Sequence, residues 1–295
     1  RFTVESVFIN SAYEVGTGAG YTTEAFRITD LLPSDDASSL GTDILVGIEN
    51  LSFNDRWVSM AVSRWAWTDW QGITNANAQG TVFNDTIAEA ASNDRDYMNG
   101  DAGDDVLLGG GNGDNLRGGY GNDVIDGGAN GSSGQSWQDQ DVAEFGGKQS
   151  RYSWSAVTIS GNATTGTVTW DGVTIATVAN STLTVNSGHD GYSANVEAVL
   201  NRAFSSGNLM GQTSGYLVID SLDEEFGGEG ADLVFSVDRF RFNDGEVELG
   251  IRVDTWDWSG GGSNGWEPDG KPDSANVLGT GSADTVTFAD VVNQS

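Results

Sequence analysis

Aspartate recurs every nine residues within one glycine-rich stretch of the chain. The recurring aspartates are Asp96, Asp105, Asp114 and Asp123. Two residues after each of them stands an apolar side chain, in turn Met98, Leu107, Leu116 and Ile125. Glycine-rich turns can point their carbonyls inward, and a carboxylate at the end of such a turn adds a charged oxygen. Calcium prefers this mixture of carbonyl and carboxylate oxygens.

The period is strict over three consecutive units, at residues 100–108, 109–117 and 118–126, with a weaker unit at 91–99. Position four carries Gly103, Asn112 and Gly121, residue types that tolerate a positive φ. We therefore predict a six-residue turn followed by a short strand whose apolar member packs inside. If each nine-residue unit forms half of a coil, units that are two apart in the sequence stack on each other. Asp105 then meets Asp123 on one edge and Asp96 meets Asp114 on the other, with each ion between stacked turns.

These units resemble the RTX repeat, GGxGxDxUx. The resemblance implies a parallel β-roll that holds calcium through the aspartate at position six and through turn carbonyls. The implied carboxylate ligands are Asp96, Asp105, Asp114 and Asp123, with Asp85 and Asp284 at position six of two RTX-like starts, residues 80–88 and 279–287. The implied carbonyl ligands are Gly100, Ala102, Gly109, Gly111, Gly118, Tyr120 and Gly121. Three positions depart from the repeat: Asp101 replaces a glycine, Asn112 stands at position four, and Ser132 occupies the next aspartate position.

A second, longer repeat flanks the array. Residues 28–62 and 218–251 share an alternating apolar run, an Asn-Asp turn and a following strand, which predicts a hairpin in each copy. We predict an all-β fold with a short parallel β-roll of nine-residue calcium-binding repeats between two related β-sandwich-like modules. The predicted domains are a truncated β-rich module (1–79), the RTX β-roll (80–135), a second β-rich module (136–278) and the start of a further repeat (279–295). One short helix is predicted at 197–203, and we expect the chain to be a piece of a longer polypeptide.

Charge and composition limit the classes of partner that the chain is expected to bind. The chain has 43 Asp and Glu residues against 13 Lys and Arg, for a formal net charge of −30. Such a surface repels phosphate backbones, so we expect no nucleic-acid partner. We also expect no membrane insertion, because no apolar run approaches transmembrane length. The chain has no cysteine, so an extracellular form would need another means of stabilisation than disulfides, and metal ions are one option.

The sequence contains few of the residues and motifs that enzyme catalysis uses. His189 is the single histidine, and the sequence contains neither a GxSxG nor an HExxH motif. Without cysteine, thiol catalysis is excluded and zinc sites nearly so. We predict that His189 is a loop residue and that this chain carries no catalytic site.

Two features leave alternatives open. Five tryptophans either stack on sugar rings or fill a module core or its seam with the array, and we favour packing. They are Trp65, Trp67, Trp70, Trp256 and Trp258. The loop-like stretch 256–273, with Asp254 just before it, either holds a further ion through Asp257, Asp269 and Asp273 or is a plain loop.

The function expected from these patterns is a non-enzymatic, calcium-dependent structural protein, secreted or at the cell surface. The RTX resemblance implies an adhesin, surface-layer, matrix or filament component, exported unfolded by a type I system and folded outside by calcium. Copies of itself, joined end to end or in a lattice, and cell-surface glycans are the expected partners besides calcium. Two alternatives remain: the calcium-binding and secretion region of an enzyme, and a carbohydrate-binding module that uses the tryptophans.

Overall fold

Strands dominate the structure, which confirms the all-β class. The computed structural model describes residues 2–12, 14–17, 23–32, 38–54, 57–68, 74–89, 95–129, 140–223, 226–249, 252–256 and 274–278. The N-terminal part contains β1 (Phe2–Ile9), β2 (Thr23–Asp30), β3 (Thr42–Leu45), β4 (Asn50–Ser52) and β5 (Trp57–Ser59). The first three form an antiparallel sheet and the last two form a hairpin. This hairpin is the first of the two that the longer repeat predicts.

The repeat region contains eight strands. They are β6 (Ser63–Thr68), β7 (Thr74–Gln79), β8 (Thr86–Ala88), β9 (Arg95–Ala102), β10 (Val106–Gly111), β11 (Asn115–Tyr120), β12 (Val124–Ala129) and β13 (Val142–Glu144). From β7 to β13, consecutive strands alternate between two sheets, and neighbours within each sheet are parallel. Val106 is aligned with Val124, and Tyr97 with Asn115, so the units stack two apart.

The remaining strands join the same two sheets. They are β14 (Tyr152–Gly161), β15 (Thr165–Trp170), β16 (Val173–Ala179), β17 (Thr182–Val185), β18 (Ser214–Asp220), β19 (Ala231–Phe235), β20 (Arg239–Phe242) and β21 (Gly245–Glu248). The front sheet has the order β21-β20-β13-β11-β9-β7-β6, and the back sheet has the order β17-β16-β15-β14-β18-β19-β12-β10-β8. Hydrogen bonding therefore does not stop at the boundary predicted near residue 135. A further pair, β22 (Arg252–Trp256) and β23 (Ser274–Leu278), is antiparallel.

The space between the two sheets is filled by the apolar residues at position eight of the repeat. Met98, Leu107, Leu116 and Ile125 are all completely buried there, as the nine-residue pattern predicts. In a strand, successive side chains point to opposite faces, so one apolar residue per strand is enough to build this interior column. The burial of these side chains supplies the main apolar contribution to stacking of the turns.

The outer face of the back sheet is covered by the one α-helix of the described residues, α1 (Ala194–Ser205). The helix is longer than the segment predicted at 197–203. It begins after Ser193, whose hydroxyl accepts a hydrogen bond from the backbone N–H of Val196, at 3.3 Å. Val199 and Leu200 pack with Val106 and Val124 in a second core. No described helix has the length and apolar character that crossing a membrane requires.

Three predictions about single residues and turns have clear outcomes. The second predicted hairpin is present as the antiparallel pair β20 and β21. His189 lies in the loop before α1, where its ring stacks on Trp170 with centroids 3.7 Å apart, so its loop placement is confirmed. The packing preferred for the tryptophans is wrong for Trp65 and Trp67, which are 54% and 55% exposed. Both lie on β6, the edge strand of the front sheet, and point away from the interior that Ala78 and Met98 occupy.

Candidate metal centre

The glycine-rich turns form two columns, one leading into each sheet. The back column ends in the aspartates at the start of the back-sheet strands, Asp85, Asp105, Asp123 and Asp232. The front column ends in Asp96, Asp114, Asp141 and Asp238. Nine-residue spacing places successive aspartates in alternate columns, so each column gathers every second unit.

Within each column the aspartates form a hydrogen-bonded ladder. In the back column, Oδ1 of Asp105 accepts the N–H of Asp85 at 2.7 Å, and Oδ1 of Asp123 accepts the N–H of Asp105 at 2.7 Å. The N–H of Asp123 donates to Oδ1 of Asp232 at 2.9 Å. The front column repeats the pattern, from Asp96 to Asp114 at 2.8 Å, Asp114 to Asp141 at 2.8 Å and Asp141 to Asp238 at 2.8 Å. The structure thus brings together both aspartate pairs that the stacking of alternate units predicts.

The second carboxylate oxygen has no such partner at three positions. Among the residues that the structure describes, no donor reaches Oδ2 of Asp105, Asp114 or Asp123, and all three oxygens are buried. A buried charged oxygen without a partner is strongly unfavourable, because it has lost its water and gained nothing in return. These three oxygens are therefore positioned for a ligand that carries positive charge.

Each of these oxygens lies against the glycine at position one of its own unit. A β-carbon placed on Gly100 would stand 2.1 Å from Oδ2 of Asp105 and 2.4 Å from the carbonyl oxygen of Gly118. The same construction on Gly109 would meet Oδ2 of Asp114 at 2.3 Å and the carbonyl oxygen of Gly127 at 2.8 Å. A carboxylate oxygen and a carbonyl oxygen from the next coil thus face one small space. Only glycine leaves that space open.

Burial raises the pKa of these carboxyls far above the usual value for aspartate. The pKa of Asp105 rises to about 9, first through burial and then through the nearby charge of Asp123. Burial likewise raises the pKa of Asp114 to about 8 and that of Asp123 to about 8. The pKa of Asp232 is also raised well above the ordinary value, by burial and by Asp123. Without a cation, Asp105, Asp114 and Asp123 hold protons at neutral pH if the chain stays folded.

We expect calcium-free protein to become less stable as pH rises. An unfolded aspartate titrates near ~3.9, so between about pH 4 and pH 9 the folded calcium-free chain binds more protons than the unfolded chain. Its stability is full below that window and is lost as pH rises through it. Urea denaturation in calcium-free buffer should show an unfolding free energy that falls as pH rises from about 5, up to the pH at which the calcium-free chain unfolds. The slope is about 1.4 kcal/mol per pH unit for each carboxyl that stays protonated in the fold.

The same series in calcium is the control for that experiment. If calcium binds in the columns, the carboxyls are ionised in the fold and protons compete with the ion, so stability should increase with pH over the acidic part of the range. A calcium-free stability that does not change from about pH 5 to pH 8 would show that Asp105, Asp114 and Asp123 are already ionised in the calcium-free fold.

The donor set suits a hard cation that prefers oxygen. The oxygens that face Gly100 and Gly109 belong to carboxylates and backbone carbonyls, and no nitrogen or sulfur atom is among them. Among the described residues, no three His, Cys, Asp or Glu side chains come close enough to form a metal site by themselves. An ion here would therefore need backbone carbonyls for much of its coordination, and calcium accepts such a set more readily than magnesium.

The other ligands implied by the RTX resemblance have varied positions. Oδ2 of Asp85 accepts hydrogen bonds from the N–H and the hydroxyl of Thr81, at 2.6 and 2.8 Å, so this end of the back column is closed by protein donors.

The carbonyl of Tyr120 accepts the N–H of Gly103 at 2.8 Å. Ala102 is aligned with Tyr120 and Gly111 with Ala129 along the stacked strands. The carbonyl of Gly121 faces Gly230, 2.3 Å from the place of a β-carbon there. Asp284 lies outside the described residues, as do Asp257, Asp269 and Asp273.

Sequence reasoning missed three aspartates of the ladders, Asp141, Asp232 and Asp238. A signal for Asp232 was present, because residues 227–235 read GGEGADLVF, with glycine at positions one, two and four, aspartate at six and valine at eight. The structure places this unit beside β12, with Val234 aligned with Ile125. Asp141 and Asp238 lack the preceding glycines, and only the apolar residue two positions later, Ala143 or Phe240, marks them.

Comparison of the chain with protein-family models, with curated proteins and with solved structures found no match. Its function therefore has to be inferred from the residues themselves.

Proposed function

We propose that this chain is a calcium-folded structural segment of an extracellular protein, and that its two turn columns form an RTX-type β-roll. The observation that carries the proposal is the set of buried Oδ2 atoms on Asp105, Asp114 and Asp123. Each is shielded from water, has no protein donor among the described residues and lies against a glycine. Three such atoms in equivalent positions of a repeat favour a repeated ligand over three separate defects of packing.

The residues that would hold the ions follow from the columns. Asp105 and Asp123 would serve the back column with the carbonyl of Gly118, and Asp114 would serve the front column with the carbonyl of Gly127. Calcium would supply the positive charge that lets these carboxylates stay ionised inside the fold. The binding free energy of the ion then becomes part of the folding free energy.

Several properties support an extracellular, structural role. A net charge of −30 on a chain without cysteine leaves cations as the available means of holding acidic turns together. Stacked units that contact only their neighbours are typical of elongated, load-bearing or lattice-forming proteins. We therefore propose export in an unfolded state by a type I system, folding where calcium is abundant, and assembly with copies of the chain as a surface-layer, filament, matrix or adhesin component.

Replacing one aspartate by the amide that matches its shape tests the ion sites. Asp105→Asn keeps an oxygen that can accept the N–H of Asp85 but removes the charge beside Gly100. We expect calcium binding in the back column to weaken about tenfold or more, because a contact to a charged group contributes roughly 1.5–3 kcal/mol. Asp114→Asn should weaken the front column instead. Isothermal titration calorimetry on each variant gives the number and affinity of the sites.

The matched control is Asp171→Asn, since that aspartate lies in an exposed turn between β15 and β16. It should bind calcium like the unaltered chain. Equal calcium affinity in Asp105→Asn, Asp114→Asn and the control would remove the basis of the proposal.

A further inference from the structure

The outward side of the front sheet carries a row of exposed aromatic and amide side chains. Strand register aligns Trp65, Asn77, Tyr97 and Asn115 across β6, β7, β9 and β11. Trp67 stands two residues along the edge strand from Trp65. The side chains of opposite parity, such as Ala78, Met98 and Leu116, are buried between the sheets. We call this outward surface, made by Trp65, Trp67, Asn77, Tyr97, Asn99 and Asn115, the front platform.

The aromatic rings of the front platform are open to solvent. Trp65 is 54% exposed, Trp67 is 55% exposed and Tyr97 is 41% exposed. The two tryptophans are about 7 Å apart along the strand, and Tyr97 is about 10 Å from Trp65 across two strand spacings. Three large aromatic rings exposed on one face of a sheet mark a candidate interaction surface.

Hydrogen-bonding groups lie between the rings. Asn77 stands between Trp65 and Tyr97 in the row, and its Nδ2 is covered and finds no acceptor among the described residues. The amides of Asn99 and Gln79 are joined, with Nδ2 to Oε1 at 3.2 Å, next to this row. Alternating rings and amides match a ligand with apolar ring faces and hydroxyl edges, which is the chemistry of a sugar chain.

The charges of the sheet determine which sugar chain fits. Three of its arginines already have glutamate partners: Arg117 lies 3.5 Å from Glu229, Arg239 lies 3.1 Å from Glu246, and Arg241 is paired with Glu144 and Glu246. These pairs offset the positive charge of the three arginines, on a chain whose net charge is −30. A polyanion would be repelled by the rest of the molecule and would find these arginines occupied. An uncharged ligand is complementary to a charge-balanced surface.

We propose that the front platform binds a neutral polysaccharide, whose sugar rings stack on Trp65, Trp67 and Tyr97, with Asn77 between the rings as the polar group next to its hydroxyls. This activity is separate from calcium binding in the turn columns, although both depend on the same folded sheets. It assigns a role to the exposed tryptophans that packing of the core does not provide.

Affinity electrophoresis in calcium tests the proposal on the full chain. Gels would contain hydroxyethyl cellulose, galactomannan or laminarin as neutral probes, and polygalacturonate as an acidic one. We expect at least one neutral polymer to retard the protein and polygalacturonate to leave it unretarded. Trp65→Ala and Trp67→Ala should each weaken the retardation about three- to tenfold, the range expected when one aromatic stacking contact is lost. Trp57→Ala is the matched control, because Trp57 is 75% exposed on β5, outside the front sheet.

Three outcomes would overturn the proposal. The first is retardation by none of the neutral polymers, and the second is an equal loss in the Trp57→Ala control. The third is concentration-dependent association of the chain with itself that Trp65→Ala abolishes in sedimentation experiments, which would assign the surface to a second copy. Circular dichroism of each variant in calcium shows that the sheets remain folded, so a loss of retardation is not mistaken for unfolding.

Discussion

Removing calcium at neutral pH is expected to unfold the repeat strands. The two ladders bury Asp105, Asp114 and Asp123, each with one oxygen that no described protein donor reaches. In a chain with a net charge of −30, no excess of basic residues can replace a lost cation. Excess chelator should therefore abolish much of the β-sheet signal in circular dichroism, and added calcium should restore it.

Keeping the buried aspartates protonated at neutral pH costs so much free energy that the calcium-free chain is expected to unfold. Holding one aspartate protonated at about pH 7.5, against an unfolded pKa of about 3.9, costs roughly 5 kcal/mol. For three such aspartates the cost is about 15 kcal/mol, and the whole stability of a domain is only about 5–15 kcal/mol. Neutralising the carboxyls with protons therefore removes most or all of the stability, and leaving them charged without a cation is worse.

Amide hydrogen exchange locates the change within the molecule. Exchange in β9, β10, β11 and β12 should become fast in chelator, because these strands carry the turns. The sheet of β1, β2 and β3 shares no strand with either coil sheet, so its amides serve as an internal control and should change least. Magnesium is the matched ion, since it requires a smaller and more rigid oxygen shell and should restore the fold poorly. An unchanged spectrum and unchanged exchange in excess chelator would contradict the calcium proposal.

The regular part of the fold could be predicted from the sequence because one period determines two properties. A strict nine-residue spacing places Leu107 and Leu116 in the interior and, at the same time, aligns Asp105 with Asp123 two units later. Both are local consequences of the repeat, and the structure shows both. The prediction ended where the spacing broke, near residue 129.

The later coils could not be placed from spacing alone. Val124 is aligned with Leu233, and the chain between them forms an antiparallel excursion and a helix before it returns to the column. Such a pairing depends on tertiary packing over a long loop, for which sequence distance carries little information. The unit at 227–235 nevertheless keeps the repeat, so a search for single units as well as runs would have found Asp232.

It was equally hard to predict which side chains of the edge strand β6 point toward the interior. Alternation in β6 shows that Trp65 and Trp67 share a side, but it does not show whether that side faces the interior. The neighbouring strand decides, since Ala78 of β7 occupies the interior and Asn77 points outward. The hydrogen bonds from Thr81 to Asp85 could not be predicted either, because the sequence shows a threonine in place of glycine but not the partner of its hydroxyl.

Gly118→Ala is expected to destabilise the fold and to damage the ion sites of the back column together. The added β-carbon would stand 2.1 Å from Oδ2 and 2.7 Å from Cβ of Asp123. Asp123 cannot move aside, because its carboxylate holds the N–H of Asp105 and its own N–H is held by Asp232. Overpacking costs about 1–3 kcal/mol in a tight core, occasionally more. The back column should also lose its calcium affinity, so the loss of unfolding free energy should be greater in calcium than in its absence.

Gly188→Ala is the matched control, since a β-carbon at that position meets no heavy atom within 4 Å. Its unfolding free energy should stay within about 0.5 kcal/mol of the unaltered chain, the usual range for a surface change. Chemical denaturation at about pH 5, where the calcium-free chain is expected to be folded, with and without excess calcium separates the two contributions to the Gly118→Ala effect. A clash alone lowers stability equally in both conditions, whereas a damaged ion site lowers it mainly in calcium. Because the same space between Gly118 and Asp123 is assigned to both the steric contact and the ion, an equal loss in the two conditions would show that the ion does not bind there.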